Sequence, residues 1–417
     1  MTTTTQIVTR SRLQVYETLE IKRRYRTGWE ASWVDVTGTL LFSSATRISN
    51  KLDFDDYGYG EFKVGDASFL VNNVDGLWSP EGTLYSLFEA AYSRHYTKVR
   101  YRAGYKDTDG SEIDEVVFSG LLNEKTASQD FNTGQFKFTA LSTSSLLSEK
   151  TILNGRLTPV STVSQTIETI LTDSSIQQIV NYSPSNIAPG FNFTFENASY
   201  YETKNVSEAL TEIAKKSNSV WYVDSSENLI FRARATNVTS PFAFVGGDRQ
   251  RRDTNIVSIE SYDMGHTKII NEVDFDADGT KYQVQPDINN IYRYGTNKID
   301  FSGTDITNPT TINSIGHSIV NAQKVPKKRI VLSTIYMPNV ISFLDGVTIN
   351  YKPSPKYMPN KTQLILNQGM DINDGNYIGQ LKNRLIIEPN KYWAYYGADH
   401  DAKAGLTRHY LVEDISI

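Results

Sequence analysis

The chain has 417 residues, with 42 Lys and Arg against 47 Asp and Glu and a formal net charge of −5. At roughly 100–200 residues per domain this suggests about two to four domains, and the near balance of charge argues against a nucleic-acid binder with a dominant basic field. The absence of Cys excludes disulfide frameworks, thiolate zinc sites and cysteine nucleophiles together, so stability is expected from packing or assembly.

Met1 to Arg10 has no apolar core of signal-peptide length, and no later stretch approaches the roughly 20 apolar residues of a membrane span. A soluble product made in the cytoplasm, without stable membrane insertion, is expected. Tyr occurs 25 times and Phe 18 times, in short alternating runs separated by Gly, Asn, Asp and Pro, which reads as mainly β. Val99, Tyr101 and Ala103 alternate with Lys98, Arg100 and Arg102, and Phe136, Phe138 and Ala140 alternate with Gln135, Lys137 and Thr139, so each run buries one face. Lys106 to Ser111 carries an Asp-Gly hairpin signature. An antiparallel domain is placed at 12–150, with one helix from Leu84 to His95, where Leu84, Leu87, Phe88 and Tyr92 share a face.

From about 155 the period changes. Val163, Ile167, Ile170 and Leu171 recur at helical spacing behind Thr162, with Gln165 three residues on as in a capping box. A second helix carries Val206, Leu210, Ile213 and Ala214, with Asn205 as N-cap and Glu208 at its third position. Val220 to Val223 and Leu229 to Arg232 then read as a hairpin, closing a small α+β domain at 155–245. The polar stretch Gly246 to Asp253 is a linker, and 251–417 is again mainly β. It includes a helix from Thr310 to Gln323 and strands at Ile330–Tyr336, Gly346–Tyr351, Gln363–Leu366 and Arg384–Glu388.

Candidate chemistry is sparse. Asp274-Phe275-Asp276-Ala277-Asp278-Gly279 opens like a calcium loop, in which alternate carboxylates supply oxygens. Its twelfth position is Gln285 rather than Glu and its flanks read as strands, so an acidic hairpin tip is the favoured reading. His95, His266, His317, His400 and His409 form no His-x-x-x-His pair, and no nucleophile elbow, phosphate loop or dinucleotide fingerprint occurs. His400 and His409, with Asp399 or Asp401, are the nearest candidates for a cluster. Lys22 to Arg26 and Arg249 to Arg252 are the basic runs, expected on outer faces or against acidic neighbours. No cofactor, metal or catalytic residue is assigned. Two alternatives stay open: a receptor- or glycan-binding protein using its Tyr and Trp as stacking platforms, and a β-rich glycosidase working through two carboxylates.

Phe69 to Pro80 ends a strand in an Asn-x-Asp-Gly turn with a Trp behind it: Asn73, Asp75, Gly76, Trp78 and Pro80. It is followed by a helix, the strand Lys98 to Tyr105, and Val116 to Leu122. This order resembles the first domain of the tail-tip and baseplate hub proteins of tailed phages, the central trimeric hub below the tail tube. Residues 155–245 resemble the small domain that follows, and Asp345-Gly346-Val347 is similar to the Gly-Asp-x-Val strand start of the family's second barrel, with Asp and Gly exchanged. Tyr392 to His409 matches nothing in the family.

The resemblance implies two tube-like antiparallel β-barrel domains accompanied by smaller domains, and a homotrimer whose six barrels meet a six-fold tube. The implied partners are the tail tube or distal tail protein above, a central spike or fibre below, the tape-measure protein, and DNA passing through the lumen. Localisation in the virion, at the tail tip, follows from it, as does the lack of enzymatic activity.

Overall fold

The computed structural model describes residues 14–25, 28–41, 47–51, 53–54, 60–61, 65–78, 97–106, 110, 112–177, 179–224, 226–234, 242–246, 256–263, 269–284, 286–327, 329–335, 346–351, 392–401 and 407–414. The expected helix Leu84–His95, the expected strands Gln363–Leu366 and Arg384–Glu388, and Pro80, Asp345, His95, His266 and Arg249 to Arg252 lie outside them.

Seven strands of the large sheet come from the first third: β1 (Gln14–Lys22), β2 (Val34–Asp35), β3 (Arg47–Lys51), β4 (Asp66–Asn72), β5 (Lys98–Lys106), β6 (Glu112–Asp130) and β7 (Gln135–Ser142). Burial alternates strictly along β4 and along β7, the period-2 signature of a strand with one face in a core. Leu19, Ile21, Phe69, Val71, Val99, Tyr101, Phe136 and Phe138 fill that core around Trp78.

The central unit is built from α1 (Val163–Leu171), α2 (Val206–Lys216), β8 (Ser219–Val223) and β9 (Leu229–Ala233). Both helices begin where their caps dictate. Thr162 and Gln165 form a reciprocal capping box, and Asn205 Oδ1 accepts the Glu208 N–H at 2.7 Å. Replacing Asn205 by Ala removes that acceptor and should cost about 1 kcal/mol, measurable as a lowered midpoint in thermal denaturation.

Next come β10 (Phe242–Gly246), β11 (Ile256–Asp263), β12 (Glu272–Ala277), β13 (Thr280–Val284), α3 (Ile288–Tyr294), β14 (Lys298–Gly303) and α4 (Pro309–Gln323). The chain closes with β15 (Arg329–Ile335), β16 (Gly346–Tyr351), β17 (Tyr392–Asp401) and β18 (Thr407–Asp414). β12, β13 and β14 form a separate three-stranded sheet. Its inner face and α4 share one apolar core with α1, α2, β8 and β9, through Phe195, Tyr201, Ile213, Phe231, Phe275, Phe301 and Ile315 among others.

The two β regions meet in a single curled sheet of 13 strands among the described residues. Its order is β11-β15-β18-β17-β3-β4-β7-β6-β5-β1-β2, with β16 also on β17 and β10 parallel to β16. The join is β17 against β3, in register Gly397↔Lys51 to Asp401↔Arg47. Tyr392–Asp401, which matches no motif, thus supplies the strand that connects the first and last thirds of the chain. β10 likewise leaves the central unit and enters this sheet. The fold is mainly β, as read from the sequence, and among the described residues no helix is long and apolar enough to cross a membrane.

Candidate functional site

Two built features stand out: the turn at the end of β4 and a buried charge junction in the central unit. At the first, β4 stops because Asn73 leaves the ladder and turns its side chain inward. Asn73 is buried, and its Oδ1 accepts the Trp78 N–H at 2.6 Å while its carbonyl accepts the Gly76 N–H at 3.0 Å. Asp75 Oδ1 accepts the Leu77 N–H at 3.3 Å, and Gly76 takes φ 75°, a left-handed conformation that costs glycine no Cβ clash. The turn delivers Trp78 into the core with no exposed surface. Its ring stacks on Phe138 at 5.3 Å and on Phe136 at 6.0 Å, and its Nε1–H donates to Thr39 Oγ1 at 3.3 Å. Gly346 opens β16, where its register partner is Ala394. It is not brought to the Asn73–Trp78 turn by any strand pairing among the described residues.

The second feature joins the helix α2 to the segment ahead of α4. Lys216 is 1% exposed, and its Nζ donates to Asp305 Oδ2 at 2.8 Å and to Glu212 Oε1 at 3.0 Å. The Tyr201 hydroxyl donates to the same Asp305 oxygen at 2.7 Å, and Lys204 pairs with Glu212 from the other side. Burial alone would pull the Lys216 amine down, but the Asp305 and Glu212 carboxylates outweigh it and hold the amine above its usual range. Burial pushes Glu212 up, and the charges of Lys216 and Lys204 more than reverse this, leaving it below the usual carboxylate range. Burial, then the Asp305 charge, pushes the Tyr201 phenol well up. Lys216 and Tyr201 are thus moved up and Glu212 down, each away from neutrality, which suits a structural tie rather than proton transfer.

A related tie links the central unit to the first β region. Lys98, at the start of β5, pairs with Glu227 in the turn between β8 and β9, and its amine lies 4.6 Å from the centroid of the Trp29 ring. In the first basic run, Arg23 is engaged by Glu30, with Nη2 donating to Oε1 at 2.7 Å and Nε donating to the same oxygen at 2.9 Å.

The acidic segment 274–279 is a hairpin tip. Asp278 and Gly279 take φ 53° and 80° between β12 and β13, a left-handed pair of the type I′ kind. Asp276 Oδ1 accepts the Gly279 N–H at 3.0 Å, and Asp274 is bound to Lys298 at 2.6 Å, so two of the three carboxylates are already engaged. Among the described residues no group of three or more His, Asp or Glu is placed to hold a metal ion. In the β17–β18 ladder Asp399 is opposite His409, while His400 is opposite Arg408. His317 is exposed on α4.

No protein-family model matches the chain, and no curated sequence matches it. Among solved structures, it is similar to the tail protein from Neisseria meningitidis MC58, with a TM-score of 0.53 at 10% identity over 95% of this chain and 96% of that one. It also aligns with the 43 kDa tail protein of prophage MuSo2 from Shewanella oneidensis (TM-score 0.49, 11% identity, 95% and 97% covered). A third is the E. coli c3393 protein, a type VI secretion component described as similar to the T4 bacteriophage tail proteins gp27 and gp5 (TM-score 0.41, 7% identity, 97% and 74% covered). At such identities the likeness is one of fold, and the first of the three carries it. The fold is thus similar to that of a tail protein along nearly the whole chain.

Proposed function

We propose that the chain is a structural component of a phage tail, and that three copies form a hub ring at the tail's distal end. The observation that carries this reading is the end-to-end likeness to a tail protein, which covers 95% of this chain and 96% of the other. In this reading 12–150 and 251–417 supply two tube-like barrel regions per chain, matching a six-fold tube above and a three-fold tip below, with 155–245 between them. Asn73, Asp75, Gly76 and Trp78 set the geometry at one end of the first barrel, with Pro80 beyond them, and Asp345 and Gly346 start a strand of the second. The partners are the tube or distal tail protein, the spike or fibre, and the tape-measure protein. The chain performs no catalysis.

The ring encloses part of the DNA path. A wall that lets a polyanion slide carries few free cations, because each Lys or Arg that neutralises a phosphate adds a salt-dependent hold. The slight acidic excess and the engagement of Arg23 by Glu30 support that arrangement. Light scattering should give a particle of about three chain masses. Duplex DNA should bind weakly at physiological salt, and tight binding that falls steeply as salt rises would contradict the passive conduit.

A further inference from the structure

A closed ring of three identical chains needs two different surfaces on each copy, one meeting the other head to tail. Among the exposed apolar side chains of the described residues, two groups differ in place and in charge.

The first lies at the end of the sheet. The hairpin between β6 and β7 presents Phe131, 86% exposed, at its tip, and the turn after β4 presents Val74 beside it. The two turns are bound together, because the Asn73 N–H donates to the Gly134 carbonyl at 2.7 Å and a Cβ at Gly134 would lie 2.7 Å from Val74 Cγ2. Residues 72–78 and 129–135 hold two carboxylates, Asp75 and Asp130, and no Lys or Arg. The Asn132 N–H, donating to Asp130 Oδ1 at 2.9 Å, helps keep that exposed carboxyl below its usual range.

The second patch lies on α3. Ile288 and Tyr292 are four residues apart and share a face; Tyr292 is 87% exposed. Asp287 binds Lys324 at 3.2 Å, and Asn290 Nδ2 donates to the Lys324 carbonyl at 2.6 Å, which sets the exposed Val325 beside the start of the helix. Residues 286–296 and 323–327 contain Arg293, Lys324 and Lys327 against the single carboxylate of Asp287. α3 buries none of its own side chains, so its packing within the chain does not account for an isoleucine and a tyrosine turned outward.

We infer that the Phe131–Val74 tip of one copy docks on the Ile288–Tyr292–Val325 face of a second copy, with Asp75 and Asp130 meeting Arg293 and its neighbouring lysines. The occupant of each patch is thus another copy of this chain. The charge difference orients the contact and disfavours tip-to-tip and face-to-face pairing. This rests on the hub reading and names the surfaces that close the ring.

The test uses full-length chains carrying Phe131→Asp or Tyr292→Asp, both at exposed positions, with circular dichroism as the check on folding. Each single variant should sediment as a monomer where the unaltered chain sediments as a trimer. Mixed in equal amounts they should form a one-to-one heterodimer, since one intact tip and one intact face remain and no ring can close. Asp130→Arg should weaken trimer formation at least tenfold, and Arg293→Asp in the same chain should restore it. Trimers formed by either single aspartate variant, or a mixture that stays monomeric, would overturn the docking scheme while leaving a trimeric hub standing. An unaltered chain that stays monomeric with and without tail-tube protein would overturn the scheme together with the hub reading.

Discussion

Exchanging Lys216 for Met should destabilise the central unit by about 3–5 kcal/mol, the range for breaking one side of a buried ion pair. The cost comes from what is left behind. Asp305 is 2% exposed, and without the amine it retains only the Tyr201 hydroxyl as a side-chain partner, so a buried carboxylate loses its counter-ion where water cannot replace it. Asp305→Asn in the same chain removes that charge while keeping an oxygen for Tyr201, and should recover most of the loss. Urea denaturation followed by tryptophan fluorescence measures both, and a loss under about 1 kcal/mol for Lys216→Met would place the pair among solvated ones.

The same junction gives the unfolding free energy a pH dependence of known sign. Glu212 is held below its ordinary value of 4.5. Its contribution is complete above that value and is lost as pH falls through the lower, folded one. Lys216 is held above its ordinary 10.5, so its contribution is complete below 10.5 and is lost as pH rises through the higher, folded value. Between these limits the junction contributes a plateau. The Lys216→Met chain should show a smaller alkaline loss, because Lys204 and Tyr201, whose folded values are also raised, still contribute to it.

Trp78→Ala is the second large effect, with about 3–5 kcal/mol expected for truncating a fully buried indole. Phe136, Phe138 and Thr39 all lose their contact with it, and β4 and β7, which carry the turn and the two phenylalanines, border the cavity. Asn73→Ala acts on the same turn by a different route. It leaves the buried Trp78 N–H without its acceptor, a loss of about 1–3 kcal/mol, and it should expose Trp78 to a fluorescence quencher. An unchanged quenching curve would mean that the turn does not hold the ring in place.

Local chemistry was legible in the sequence because it acts over a few residues. Thr162 with Gln165, and Asn205 with Glu208, announced two helix starts, and Val220–Val223 with Leu229–Arg232 announced a hairpin. Asp278-Gly279 between alternating strands announced another, the acidic hairpin tip between β12 and β13. What stayed hidden depends on partners far away in the chain. Nothing within Tyr392–Asp401 says that it will pair with Arg47–Lys51, and nothing in Asp305 says that it will meet Lys216. A signal for Lys216 did exist: it follows Ile213 by three residues, on the apolar stripe of α2 with Val206 and Leu210, where a lysine must find a buried partner. α3 was missed because it is only seven residues long and has no buried stripe for periodicity to detect. Phe131 sits among Asp, Asn, Thr and Gly, a composition that marks a turn, and an aromatic at the tip of a turn is itself a pointer to a surface.

The central claim is that three copies of this chain form a hub at the distal end of a phage tail. Electron microscopy of purified tails bearing a gold-labelled version of the chain tests it most directly. Three labels per tail, confined to the end remote from the capsid, is the result expected. Labels spaced along the tube, labels on peripheral fibres, or tails without any would contradict it.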